Sequence, residues 1–238
     1  MWKIFFICCD FLCNFLPRSK RARIRREKLY DFRKKYDCLR SAFPEMNWKR
    51  AKMIKGGWNI GFIVDNKYVF KIRKFNDQFA NIDKIIKEKR ITDAMAQYAT
   101  LAIPQIEIFE IDDFRFYRYN FIPGRNLNTF PLRDIIANKK LWAYQIAEFI
   151  YAIHNARPVD ISDLQRGDGD GWNHHDICNN ILVNPQTMKI VGIIDWEYAG
   201  WGPLETEFNN CVAFSKNMRA SGIIDDIRNE YNKLISAN

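Results

Sequence analysis

Residues 173–198 read NHHDICNNILVNPQTMKIVGIIDWEY, from Asn173 to Tyr198, and their reading decides the fold and the chemistry together. Two apolar runs, Ile181-Leu182-Val183 and Ile190 to Ile194, are joined through Pro185-Gln186-Thr187, which predicts a β-hairpin. A polar turn with His174, His175 and Asp176 leads into the first run. Asn180 stands directly ahead of the first strand and Asp195 ends the second, so a hairpin would fix both on one wall. A carboxylate in a polar turn can orient a hydroxyl and take its proton, while Asn and Asp side chains are hard oxygen ligands of the kind Mg²⁺ takes. These groups suit phosphoryl transfer, which asks a protein mainly for positioning and charge neutralisation.

The third requirement, positive charge on the phosphates, is met upstream. Residues 49–74 read as three short strands, with Asp65-Asn66 as the turn of the second connection. The first connection, Gly56-Gly57-Trp58-Asn59-Ile60-Gly61, lets backbone N–H groups approach phosphate oxygens, which makes Gly57 and Asn59 candidate nucleotide contacts. Lys71 lies in the third strand among Tyr68, Val69, Phe70 and Ile72, and an ammonium on an apolar strand needs a partner. The helix expected over 76–100 offers Glu88. Strands over 101–111 and 113–122 follow and close at Pro123-Gly124, so backbone groups from Asn120 to Ile122 are the expected contacts for an adenine edge.

Helical periodicity predicts a short and then a longer helix over 132–156, with His154 as a structural residue at the end. The Gly- and Asp-rich loop 157–172 lacks the register and closing Glu of a calcium loop and reads as a flexible turn. Beyond Asp195, two helices are expected over 207–220 and 223–237.

Taken in order, His174, Asp176, Asn180 and the run Ile194-Asp195-Trp196-Glu197 resemble the aminoglycoside phosphotransferase and choline kinase superfamily over residues 50–210. The resemblance implies an α+β, bilobal protein-kinase-like fold, with a small β-rich N-lobe and a mostly helical C-lobe. It implies an ATP-dependent phosphotransferase with Asp176 as base beside His174, and Asn180 and Asp195 as Mg²⁺ ligands. Lys71 would hold the nucleotide phosphates and pair with Glu88. An acid near Glu205 or Glu207 would brace the catalytic loop or meet a cationic acceptor. One departure stands out: the family places its Asn five residues after the Asp, whereas Asn180 is four after Asp176. A shortened loop is compatible with an active enzyme or with a catalytically impaired pseudokinase or scaffold.

The net charge of +9 on 238 residues is concentrated: positions 17–40 hold eleven Lys and Arg against three acids. Ahead of them, residues 1–16 form an aromatic-rich amphipathic pattern with Lys3, Asp10 and Asn14 on a thin polar strip. An apolar face followed by a basic run is a two-signal arrangement for an anionic leaflet, with about 1 kcal/mol per basic residue near the surface. The alternative is that this helix packs on the protein's own core. The segment also resembles the N-terminal region of some bacterial enzymes that build or decorate surface polysaccharide. The expected division is 1–40 as membrane-surface segment, 41–122 as N-lobe and 123–238 as C-lobe. The expected setting is cytoplasmic, peripheral on the inner face of a membrane, with a small-molecule or glycolipid substrate. No signal peptide or spanning helix is read, and the six cysteines lack CxxC spacing, which points to a reducing compartment. No reader element for specific nucleic acid accompanies the charge.

Overall fold

The computed structural model describes residues 33–55, 59–73, 82–111 and 114–237. The expectations for the segment 1–32, for Gly57 and for the first residues of the helix after Asn76 lie outside them. By contacts the chain divides into two compact units: one runs to Ile85 and includes Ile106–Phe121, and the other takes Ile86–Gln105 and Ile122–Asn238. Residues 86–105, expected in the N-lobe, thus group with the second unit.

The first unit is built on a five-stranded antiparallel sheet, β1 (Lys52–Lys55), β2 (Asn59–Val64), β3 (Tyr68–Arg73), β4 (Glu107–Ile111) and β5 (Phe114–Asn120), in the order β1-β2-β3-β5-β4. Side chains alternate across a strand, so the sheet has two apolar faces. Phe62, Phe70, Ile72 and Phe116 pack on one, Val69, Tyr117 and Tyr119 on the other. The β2–β3 turn has Asp65 and Asn66 at φ 57° and 51°, the left-handed pair that a tight hairpin requires. Residues 33–42 are helical (α1), and Tyr36 and Leu39 are buried in the first of these clusters beside Trp48. The rings of Tyr36 and Phe62 lie 4.9 Å apart. The end of the basic segment therefore belongs to the folded unit, and the expected boundary at residue 40 is corrected: its apolar side is consumed by the sheet.

The second unit is centred on α3 (Leu132–His154), which follows α2 (Ile82–Met95) and the short strand β6 (Arg125–Asn126). The expected short and long helices are a single one of 23 residues. Neither Gly nor Pro interrupts 132–154, and the polar run Asn138-Lys139-Lys140 marks a solvent side, not a break. Ile135, Trp142, Ala143, Ile146, Phe149, Ile150 and Ile153 form its buried stripe. Two small sheets pack with it: β7 (Gly171–Asn173) with β10 (Gly200–Gly202), and β6-β8-β9 with β8 (Ile181–Val183) and β9 (Ile190–Ile193). The β8–β9 hairpin is antiparallel as expected. The helix fixes it in place: Trp142 Nε1 donates to Met188 O at 2.6 Å, and the Gln145 amide bonds both the N–H and the C=O of Ile190.

The helix expected over 207–220 is divided into α4 (Leu204–Asn210), a 3₁₀ turn Cys211–Ala213 and α5 (Lys216–Ala220). Ser215 caps the last piece by accepting the Met218 N–H, which opens a new helix where continuation was expected. α6 (Ile223–Ser236) packs on α3 after Gly222 at φ 71°. The loop 157–172 is likewise better fixed than its composition suggests. Arg90 clasps Asp163 through both guanidinium nitrogens at 2.6 and 2.9 Å, Trp201 Nε1 donates to Gly169 O, and Asp170 accepts from Leu204 N.

Candidate active site

The turn between β7 and β8 carries Asp176, and its shape is set from beneath. Glu207, at 1% exposure, uses Oε2 to accept the N–H groups of His174 at 2.6 Å and His175 at 2.9 Å. Burial pushes its carboxyl up to about 7, against the pull of the His175, His174 and Ile177 amides. Of the two acids left undivided by sequence, Glu207 is the one that reaches this turn. Glu205 is exposed and forms a bidentate pair with Arg228.

His175 occupies φ 63°, a region that non-glycine residues seldom enter, and Asn210 Nδ2 holds its carbonyl at 2.8 Å. Burial, and then the charge of Lys87, lowers its pKa below the ordinary imidazole value. His174 is 2% exposed. Its Nδ1 accepts the Asp176 N–H at 3.2 Å, which assigns the proton to Nε2, and that group faces Ile194 O at 3.1 Å. The ring thus ties the residue that bears the candidate base to the residue before Asp195, and it is itself turned into the protein.

After Asp176 comes a 3₁₀ turn, Ile177–Asn179. Asn180 is 7% exposed, and its Nδ2 donates to Asp176 O at 2.8 Å and to Asp176 Oδ2 at 3.1 Å. Asn180 O in turn accepts the Ile194 N–H at 3.0 Å, which brings the residue before Asp195 onto Asn180. Asp195 itself sits at φ 67°. The Asn180 amide oxygen and the Asp195 carboxylate are hard donors of the kind that Mg²⁺ takes. Among the described residues no group of three or more His, Cys, Asp or Glu could hold a metal, so phosphate oxygens or water would complete the shell.

The other sequence candidates are found as follows. Glu88, on α2, is 2% exposed, and its Oε1 accepts the Trp196 N–H at 3.1 Å, so it braces the segment just past Asp195. In the first unit, Lys71 pairs across the sheet with Gly61 and Tyr117, and its Nζ lies 5.4 and 5.9 Å from the ring centres of Tyr117 and Tyr119. Asn59, at 9% exposure, has a buried Oδ1 with no hydrogen-bond partner among the described residues. Asn120 ends β5 opposite Tyr68, and the next N–H, of Phe121, is already given to Lys67 O. Ile122 opens the second unit's return and packs against Gly192. His154 is structural as expected, with Nδ1 at 3.3 Å from Asn173 Oδ1 and Nε2 at 3.2 Å from Asp170.

Sequence reasoning missed Asn126 and Asn128, which lie on a turn some fifty residues upstream and bond the loop after Asp176 at Asn179 O and Cys178 O. Only their spacing on one turn, Asn126-Leu127-Asn128, hinted at a shared face.

Residues 161–231 match the model of the phosphotransferase enzyme family, APH. No curated protein matches the chain. Among solved structures, the GDP complex of an aminoglycoside 2′-phosphotransferase-IIIa superposes with a TM-score of 0.66 at 17% identity, over 83% of this chain and 81% of that one. The streptomycin–ATP ternary complex of APH(2″)-IIa gives 0.61 at 15%, over 83% and 80%. The macrolide 2′-phosphotransferase of Brachybacterium faecium gives 0.61 at 11%, over 83% and 82%.

Proposed function

We propose, from the premise that the chain has the fold of the aminoglycoside phosphotransferase superfamily and that family's pattern over 161–231, that it is a small-molecule kinase. It transfers the γ-phosphate of ATP to a hydroxyl of a sugar, a lipopolysaccharide component or an amino alcohol, at the inner face of a membrane. The observation that carries the reading is the hydrogen-bonded join of Asp176, Asn180 and Ile194, which sets Asn180 on the candidate base and brings the residue before Asp195 onto Asn180. It also weighs against the impaired-enzyme alternative, because the short loop still ties Asn180 to Asp176.

In this reading Asp176 accepts the proton of the acceptor hydroxyl as that oxygen bonds to phosphorus and the bond to the nucleoside diphosphate breaks. His174 acts through Asp176, by holding its backbone and not by touching substrate. Asn180 and Asp195 would hold Mg²⁺, which neutralises developing phosphate charge when bound. Lys71 would add positive charge on the nucleotide phosphates, and Asn59 would be a second contact to the nucleotide. The aminoglycosides and macrolide named above belong to the relatives; the acceptor here is proposed at the level of a hydroxyl-bearing small molecule or glycolipid.

Calorimetry and transfer assays on an acceptor panel test the assignment. Asp176→Asn should bind ATP with Mg²⁺ as the native chain does and lose roughly 10²- to 10⁴-fold in transfer. Asp195→Ala should lose the Mg²⁺-dependent part of ATP binding. Normal turnover by Asp176→Asn would remove Asp176 as base.

A further inference from the structure

We propose that Asn179 is a positioning residue for the Asp176 carboxylate and that Asn128 fixes the direction in which the Asn179 amide points. The inference rests on the reading of Asp176 as base, and it concerns how a loop one residue short holds that base.

In a 3₁₀ turn, side chains three residues apart eclipse. The turn Ile177–Asn179 therefore stacks Asn179 over Asp176, and Asn179 Nδ2 donates to Asp176 Oδ1 at 2.9 Å. The orientation of each amide follows from backbone groups that have no choice of role. Ser215 N–H donates to Asn128 Oδ1 at 2.9 Å. The NH₂ of Asn128 is thereby turned to Cys178 O at 2.8 Å and to Asn179 Oδ1 at 3.3 Å. With its oxygen taken, Asn179 presents its NH₂ to Asp176. Asn126 Nδ2 holds the Asn179 carbonyl from the same upstream turn.

Asn180 Nδ2 reaches the other carboxylate oxygen at 3.1 Å, so both oxygens are held by amides. The Cys178 thiol also faces Oδ1, at 3.9 Å, which leaves Oδ2 the oxygen with a lone pair for an incoming hydroxyl. Asn179 is exposed whereas Asn180 is buried, so Asn179 can be changed without disturbing the core.

The test uses the full chain labelled with ¹⁵N at asparagine side chains, the Asn179 NH₂ resonances being assigned by their loss in Asn179→Ala. These resonances should move both in Asp176→Asn, which removes the carboxylate they face, and in Asn128→Asp, which keeps an acceptor for Ser215 N–H but has no NH₂ to hold Asn179. In Asn179→Ala kcat for ATP turnover with Mg²⁺ should fall about tenfold with KM for ATP unchanged. Asn179 NH₂ resonances that stay put in both variants, or a native kcat in a folded Asn179→Ala chain, overturn the inference. Resonances that move in a protein whose native form never turns over ATP leave the pairing standing and remove the kinase reading instead.

Discussion

At the scale of single residues, Glu207 is where burial and hydrogen bonding oppose each other most directly. Its carboxyl rises from the ordinary 4.5 to about 7, burial being the larger cause. Between those two values the native protein holds a proton that the unfolded chain has released. The resulting stability is full below pH 4.5 and is lost as pH rises through 7, at about 1.4 kcal/mol per unit within the window. In Glu207→Gln the amide oxygen still accepts the His174 and His175 N–H groups, but nothing titrates. Urea unfolding at pH 5 and pH 8 should show the native chain losing roughly 2 to 3 kcal/mol relative to Glu207→Gln across that interval. An equal difference at both pH values would remove Glu207 as the source. The family resemblance implied an acid here that braces the turn or meets a cationic acceptor; which of Glu205 and Glu207 reaches the turn was not legible. Their spacing is the same to within two positions, and only the register of α4 buries one and exposes the other.

Among elements, α3 and β7 show how far from the chemistry the turn is secured. A Cβ on Gly171 would stand 2.2 Å from His154 O and 2.5 Å from its ring, so only glycine lets β7 lie against the end of α3. Gly171→Ala should cost about 2 kcal/mol or more of stability, read as a lower urea midpoint, and should reduce turnover because His174 and Asp176 follow that strand directly. A native midpoint would show that the helix end yields. The strands of both hairpins were legible because alternation and turn residues are local signals, and Asp65-Asn66 adopts the conformation those residue types favour. The break of the expected 207–220 helix was not, because Ser215 acts as a cap only once Phe214 and Met218 are buried on either side of it.

At the scale of the whole molecule, the basic N-terminal segment is proposed to lie on an anionic membrane surface. Among the described residues no helix is long and apolar enough to cross a membrane. Tyr36 and Leu39 are core residues of the first unit, so a shortened chain must keep them and begin at residue 33. With vesicles containing about one-third anionic lipid, the full chain should sediment and release as salt is raised, whereas the chain from residue 33 should stay in the supernatant. Equal binding by the two would assign the membrane contact elsewhere or deny it.

By itself the sequence singled out the residues proposed to carry the chemistry, and their order. His174, Asp176, Asn180 and Asp195 stood out because polar groups at the ends of apolar strands are unusual and short-range. Tertiary structure decided what holds them. Glu207, Asn128 and Glu88 reach the loops that bear Asp176 and Asp195 from elements 31 residues downstream, 48 upstream and 107 upstream, and such hydrogen bonds leave no periodic trace in a chain. The missing loop residue is the clearest case. Its absence could be counted in the sequence, but the amides that hold Asp176 within the shortened turn appear only when the turn is folded against Asn126 and Asn128.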